Sequence, residues 1–361
     1  MNRFHRYAVL FAAALCVCAG AAHAGPTTLK FSLQNPENSF STNNGIKKWI
    51  EKVEQDSNGT LSIDLYAGET LCKGAQSWSA VRNNITDIAW IPMGMYAGMN
   101  PLAEAIFLPS LPFSDPMTIT RTANELFEKV PALSRPYSAN RIIAIYTSDS
   151  NNLVTSRPVR KLEDLRGLKI RTTAGPFVPM LEALGAVPVV MGNAEVYDAL
   201  SKKTIDGVLA SWETIDGSRF YEVAPYVTTN SPFGFSLFTI AMNRKKFDRL
   251  PAEARNALLK NGGMDGALWL AENFSLATRK LAELQRSSNQ TNCYIWKLAE
   301  PLQAKGAVTV YELPAEERAR WDGVAGRMTW ERWMKDTLES GKVAREDAET
   351  VLGVLTGEKT L

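Results

Sequence analysis

The sequence predicts an α/β protein of two lobes, joined by crossing strands and a long helix. Three observations carry this expectation. Short runs of alternating apolar and polar residues take turns with runs of helical period, the pattern of a parallel sheet flanked by helices. The pattern occurs once in the first part of the chain and again in its middle. No low-complexity linker separates the two parts, so they are not beads on a string. The 361 residues are long enough for two full cores.

Each element follows from its own pattern. Leu29 to Leu33 alternates as a strand. Ile46, Trp49, Ile50 and Val53 then fall on one helical face, and Asn58-Gly59 closes that helix. Leu61, Ile63 and Leu65 alternate as a second strand, residues 74–84 read as helix, and Ile85 to Ile91 as strand. A helix over 116–130 and a strand from Ile142 to Tyr146 complete the first part. In the middle, strand 168–172 leads to a helix at 177–184 closed by Gly185, then to strand Val187 to Met191. A short helix over 194–202 and strand Ile205 to Leu209 follow. Phe235 to Met242 is apolar throughout, as in a buried strand. After Pro251 a helical stretch, interrupted near Gly262-Gly263, extends toward Arg286. Val308 to Leu313 is a late strand, and the remainder is charged and helical, anchored by Trp321, Trp330 and Trp333.

The first residues predict the compartment. Arg3 and Arg6 precede an apolar run from Ala8 to Ala19, and Ala22-His23-Ala24 supplies a small-residue cleavage site before Gly25. This is the pattern of a secretory signal peptide over 1–24. The run is shorter than the roughly 20 residues of a spanning helix. Cleavage leaves 38 basic and 38 acidic residues, which argues against an electrostatic nucleic-acid or membrane-surface binder. His5 and His23 leave with the signal, so histidine-dependent hydrolysis and His-ligated metal are excluded as well. No cofactor is expected. Cys72 and Cys293 remain. An oxidising compartment allows them to pair, and two separate thiols fit the sequence equally well.

One stretch carries chemistry. In Gly167-Leu168-Lys169-Ile170-Arg171-Thr172-Thr173 an arginine closes a strand just before a glycine–proline turn. Ligands in open α/β sheets bind beyond the carboxyl ends of strands. Trp90 with Met93, Asn151 with Asn152, and Ser211 with Trp212 stand at other such ends. Phosphate-loop and nucleophile-elbow motifs are missing. The carboxylates Glu182, Glu195, Asp198 and Glu213 read as solvated helix faces rather than as acid–base pairs.

The segment LEDLRGLKIRTT followed by LEALGAVPVVMGNAEVYDALSKKTIDGVLASWETI resembles the solute-binding proteins of tripartite ATP-independent periplasmic (TRAP) transporters. GETLCKGAQSWSAVRNNITDIAW and LPSLPF look like further parts of that family, so the resemblance covers nearly the whole chain after residue 24. It implies a two-lobed, type II-like periplasmic binding protein with a ligand cleft between the lobes. The expected division is lobe I over 25–148, lobe II over 149–234, a return to lobe I over 235–276, and over 277–361 the rest of lobe II with helices packing across both.

The resemblance also implies a function. The protein would be a non-enzymatic periplasmic receptor, a monomer without nucleic-acid partners, that delivers an organic acid to small and large permease subunits in the membrane. Arg171 matches the arginine that binds the ligand carboxylate in the family. A guanidinium is always charged and its fork matches a carboxylate. Many members carry a second arginine at the position read here as Asn152, which leaves a less positive pocket suited to a monocarboxylate with an apolar or aromatic body. Trp212 would cover that body, with Asn35, Trp90, Met93, Phe177 and Phe233 as further contacts. A receptor for an ATP-driven importer and a periplasmic enzyme acting on a carboxylic acid are the competing readings.

Overall fold

The structure, a computed structural model, describes residues 25–287, 294–295 and 307–361. Residues 1–24, where the signal peptide is expected, and Cys293 lie outside them. Cys72 is half-buried, with its Sγ 3.3 Å from Ser32 Oγ.

The first sheet begins with β1 (Thr27–Ser32), whose Leu29 and Phe31 are fully buried while Lys30 points out. Helix α1 (Lys47–Asp56) buries the stripe Trp49, Ile50 and Val53 against it. Strands β2 (Leu61–Tyr66) and β3 (Ile88–Pro92) flank β1 in parallel. Helix α2 (Pro116–Lys129) starts where Asp115 accepts from Thr118 N at 2.9 Å, with proline in the first turn. Strand β4 (Asn140–Ser150) then runs to the edge of the lobe.

A single residue, Asn151, separates β4 from β5 (Asn152–Thr155), which belongs to the second sheet. That sheet continues with β6 (Lys169–Thr172), helix α3 (Phe177–Ala183), β7 (Val187–Val190), β8 (Gly207–Ala210), helix α4 (Trp212–Gly217) and β9 (Tyr226–Thr229). The chain returns to the first sheet through β10 (Phe235–Asn243). The two crossings clasp each other. Asn151 donates to Gly234 O from its backbone N (3.1 Å) and its Nδ2 (2.8 Å), and Ser150 Oγ donates to Phe233 O at 2.8 Å.

Helix α5 (Gly263–Ser287) packs along β4 and α2. It starts after a break at 261–262, so the helical stretch beyond Pro251 is two helices. A two-residue β11 (Tyr294–Ile295) and β12 (Ala307–Glu312) complete the second sheet, in order β11-β12-β9-β5-β8-β6-β7. Helix α6 (Ala315–Glu339) packs on α3 of the second lobe. Its Trp333 and Trp330 donate to Pro101 O (2.8 Å) and Pro109 O (2.7 Å) of the first. Helix α7 (Arg345–Thr356) lies over α2.

Two expectations need correction. The sheets are mixed, not parallel: β10 runs antiparallel to β3 and β4, and β5 antiparallel to β8 and β9, because both crossing connections reverse the chain. Strands β5 and β9 also escape sequence reading. Each is four residues long, and β5, buried throughout, shows no alternation.

Candidate functional site

A narrow cavity of about 60 Å³ lies between the two sheets at the crossings. Gln34, Asn35, Trp90, Pro92, Met95, Ser236 and Phe238 line it from the first sheet, and Arg171, Thr172, Thr173, Phe177, Asn193, Ala210, Ser211 and Thr214 from the second. Arg171 is the one charged side chain among these lining residues.

The sequence places Arg171 there by strand geometry. Leu168 and Ile170 are fully buried in the core, and Lys169, at the start of β6, is exposed. Arg171 shares the face of Lys169 but stands at the other end of the strand, inside the cleft, 5% exposed. Parallel pairing sets Arg171 beside Val189 of β7, which brings Met191 O within reach. Arg171 Nε and Nη2 both donate to that carbonyl, at 3.0 and 2.8 Å. One edge of the guanidinium is thereby fixed in a residue that lines the cavity, and Nη1 has no hydrogen-bond partner among the described residues.

Among the described residues no carboxylate forms an ion pair with Arg171. Burial alone pulls its pKa down to about 10, so the side chain is still cationic at neutral pH. A buried charge without a counter-charge is costly. An anion in the cavity removes that cost, and a carboxylate fits the open edge with two parallel hydrogen bonds.

The other walls are apolar or neutral. Trp90 stacks on Phe238 with centroids 4.6 Å apart, and its Nε1 donates to Tyr146 Oη at 2.6 Å. Phe177 packs edge-on against Phe107 at 5.8 Å. Asn35 Nδ2 donates to Ser41 Oγ at 2.8 Å. The hydroxyl of Thr172 and Oδ1 of Asn193 are buried with no partner among the described residues.

Of the eight residues expected from the sequence, Arg171, Asn35, Trp90 and Phe177 come together here and four do not. Asn152 lies within β5, and its neighbour Asn151 lines the cavity instead, one residue earlier and at the joint. Met93 turns into the core, where Thr239 Oγ1 donates to its Sδ at 3.6 Å; Met95 reaches the cavity. Phe233 is fully buried against Trp321, with centroids 5.8 Å apart. Trp212 does not extend a strand into the cleft. Ser211 caps α4 through Thr214 N, and Trp212, its first residue, packs on the outer apolar cluster of the second lobe. Phe238, Asn193 and Thr172 were missed. Thr172 adjoins the arginine in sequence, which was the signal available for it.

A second cavity, of about 340 Å³, lies between α1 and the start of α5. Its cations have partners within it: Lys260 Nζ meets Asp56 Oδ1 at 2.7 Å, and Lys52 sits over the ring of Trp269. The unpaired cation singles out the cleft between the lobes.

Two mixed sheets joined by paired crossings, with a lone arginine between them, define a two-lobed binding protein. Residues 31–335 match the family model described as bacterial extracellular solute-binding protein, family 7, and the chain belongs to that family. It is a TRAP solute-binding protein. A marine metagenome TRAP solute-binding protein, described as specific for aromatic acid ligands and crystallised with 3-hydroxybenzoate, is 25% identical. Its TM-score is 0.79, with 93% of this chain and all of that chain covered. The TRAP solute-binding protein of Rhodoferax ferrireducens, which holds copurified benzoate, shares the fold at TM-score 0.79 and 24% identity, covering 92% of this chain and 98% of its own. The C4-dicarboxylate-binding periplasmic protein of Rhodobacter capsulatus is 23% identical over 83% of this chain and 85% of its own. The family consists of transport receptors, not enzymes. No helix among the described residues is long and apolar enough to cross a membrane.

Proposed function

We propose that this receptor captures an aromatic monocarboxylate, with Arg171 holding the carboxylate and Trp90, Phe177 and Phe238 flanking the ring, and delivers it to a TRAP permease. The carrying observation is the single unpaired cation in a cavity otherwise lined by neutral and aromatic side chains. A dicarboxylate would leave its second charge buried without a partner. Specificity for aromatic acids in the marine metagenome relative supports the same class. Residues 1–24 would direct the chain to the periplasm, where small and large membrane subunits receive the ligand.

A thermal-shift panel tests this reading. A ligand that binds only the folded protein stabilises it by about 4 kcal/mol at a thousandfold excess over its Kd. Benzoate, 3-hydroxybenzoate and mandelate are expected to raise the melting temperature by several degrees, and succinate to leave it unchanged. Stabilisation by succinate or a sugar acid, without an effect of the aromatic acids, overturns the ligand class.

Closure of the cleft gives a second expectation. Gly94, after β3, faces Thr173, after β6, so closely that a Cβ there would lie 2.7 Å from Thr173 Oγ1 and 3.2 Å from its Cβ. Gly94→Ala is expected to prop the lobes apart and weaken binding about tenfold, an overpacking cost of about 1–3 kcal/mol. Because the strain falls on the lobe contact, Gly94→Ala combined with Thr173→Ala should recover most of the affinity. Calorimetry on the single and double variants checks this. Full affinity in the single variant removes the argument.

A further inference from the structure

Beside the ligand cavity, the first-lobe segment that follows β1 docks on α4 of the second lobe. Phe40 is 7% exposed and packs with Val196, Ile215 and Phe220 of the second lobe's core. Ser41 N donates to Glu213 Oε1 at 3.3 Å, and the Ser41 side chain also bonds that carboxyl group. Ser41 Oγ in turn accepts from Asn35, which lines the cavity. At the end of α4, a Cβ on Gly217 would stand 3.0 Å from Ser39 Cβ. Glu213 is thus a carboxyl group of one lobe whose burial, at 2% exposed, is completed by the other. The expectation of a solvated helix face fails at this residue.

We propose that Glu213 is a proton-binding latch of the lobe interface, which takes up a proton as the cleft closes and releases it as the cleft opens. The surroundings are acidic or phenolic. Asp216, on the same helix, is 6% exposed, and the charge of Glu213 reaches Tyr146 of β4 while that of Asp216 reaches Tyr221 beyond α4, each adding to burial in pushing the phenol up. Asp265 and Glu272 stand on α5, which packs against α4. The nearby cations are committed elsewhere or exposed. Arg219 pairs with Glu222, Lys47 with Glu37, and Lys48 faces solvent. Among the described residues, neither Glu213 nor Asp216 has an ion-pair partner.

Burial, with Asp216 adding a like charge, pushes the Glu213 carboxyl up to about 7, and burial lifts Asp216 to about 6. Parting of the lobes rehydrates Glu213 and returns it toward the ordinary carboxylate range. A group whose pKa is raised in the closed form favours that form fully below its open-state pKa. The preference is lost as pH rises through the closed-state value. From pH 8.5 down to 5.5, Glu213 alone should shift the closed-to-open ratio on the order of 10- to 30-fold toward closed.

The proposal does not depend on which acid is bound, so its test uses the ligand-free full chain. Small-angle scattering at pH 5.5 and 8.5 reads the radius of gyration. The wild type is expected to be more compact at pH 5.5. Glu213→Gln, a neutral isostere, should hold the compact value at both pH values. Asp216→Asn, which keeps Glu213, should retain most of the shift. An unchanged radius in the wild type, or a full shift in Glu213→Gln, overturns the latch.

Discussion

Arg171→Ala is expected to weaken ligand binding by more than a hundredfold while making the ligand-free protein more stable. The two effects share a cause. The arginine is buried, held on one edge by Met191 O, and has no carboxylate partner among the described residues. In the proposed complex the ligand would be its counter-charge, and removing one member of a buried pair costs about 3–5 kcal/mol. Without ligand the same guanidinium is a desolvation cost, so alanine relieves it and the melting temperature should rise. Arg171→Lys should also bind poorly, because an ammonium cannot keep the Met191 contact and offer a second, forked edge. Calorimetry and thermal unfolding on the two variants provide both readouts. Wild-type affinity in Arg171→Ala, or a clear loss of ligand-free stability, contradicts the assignment.

Trp321→Ala is expected to be the most damaging change to stability among those considered. Trp321 is fully buried on α6, packs edge-on against Phe233 of the return crossing, and donates from Nε1 to Glu317 Oε1 at 2.9 Å. That carboxylate oxygen also accepts from Leu162 N at 2.7 Å, so the indole joins α6, a crossing and a second-lobe turn. Truncating a buried tryptophan costs about 3–5 kcal/mol, a large part of the stability of a typical domain. Urea unfolding should show a markedly lower midpoint, and Trp321→Phe should recover part of the loss. A loss below about 1 kcal/mol would mean that the site collapses around the gap, a milder outcome than core packing permits.

The arginine was legible because its strand alternates cleanly and ends just before a glycine–proline turn, so face and end were both readable from the nine residues 168–176. Trp90 was legible as an aromatic near a strand end, and Phe177 because it lies shortly after the arginine, at the start of the following helix. The misses came where a side chain's direction depends on one residue of register. Asn151 and Asn152, or Met93 and Met95, are interchangeable in composition, and only the joint between β4 and β5 and the turn after β3 decide which one faces the cleft. Trp212 was misplaced because β8 passes into a helix within a single residue, which the apolar run Val208 to Ala210 does not announce. Phe238 joins the cavity of Arg171 only through the packing of one sheet against the other. The environment of Glu213 was invisible on the same ground: its neighbour Ser41 lies far away in the chain.

The central claim is that Arg171 carries the ligand's carboxylate in a cleft whose other walls hold an aromatic body. A crystal structure of the protein with the aromatic monocarboxylate that stabilises it most tests this directly. The carboxylate is expected on the Nη1–Nη2 edge of Arg171, with Met191 O still on the Nε–Nη2 edge and the ring flanked by Trp90 and Phe177. A ligand whose carboxylate lies away from Arg171, or an Arg171 paired instead with a protein carboxylate, would contradict it.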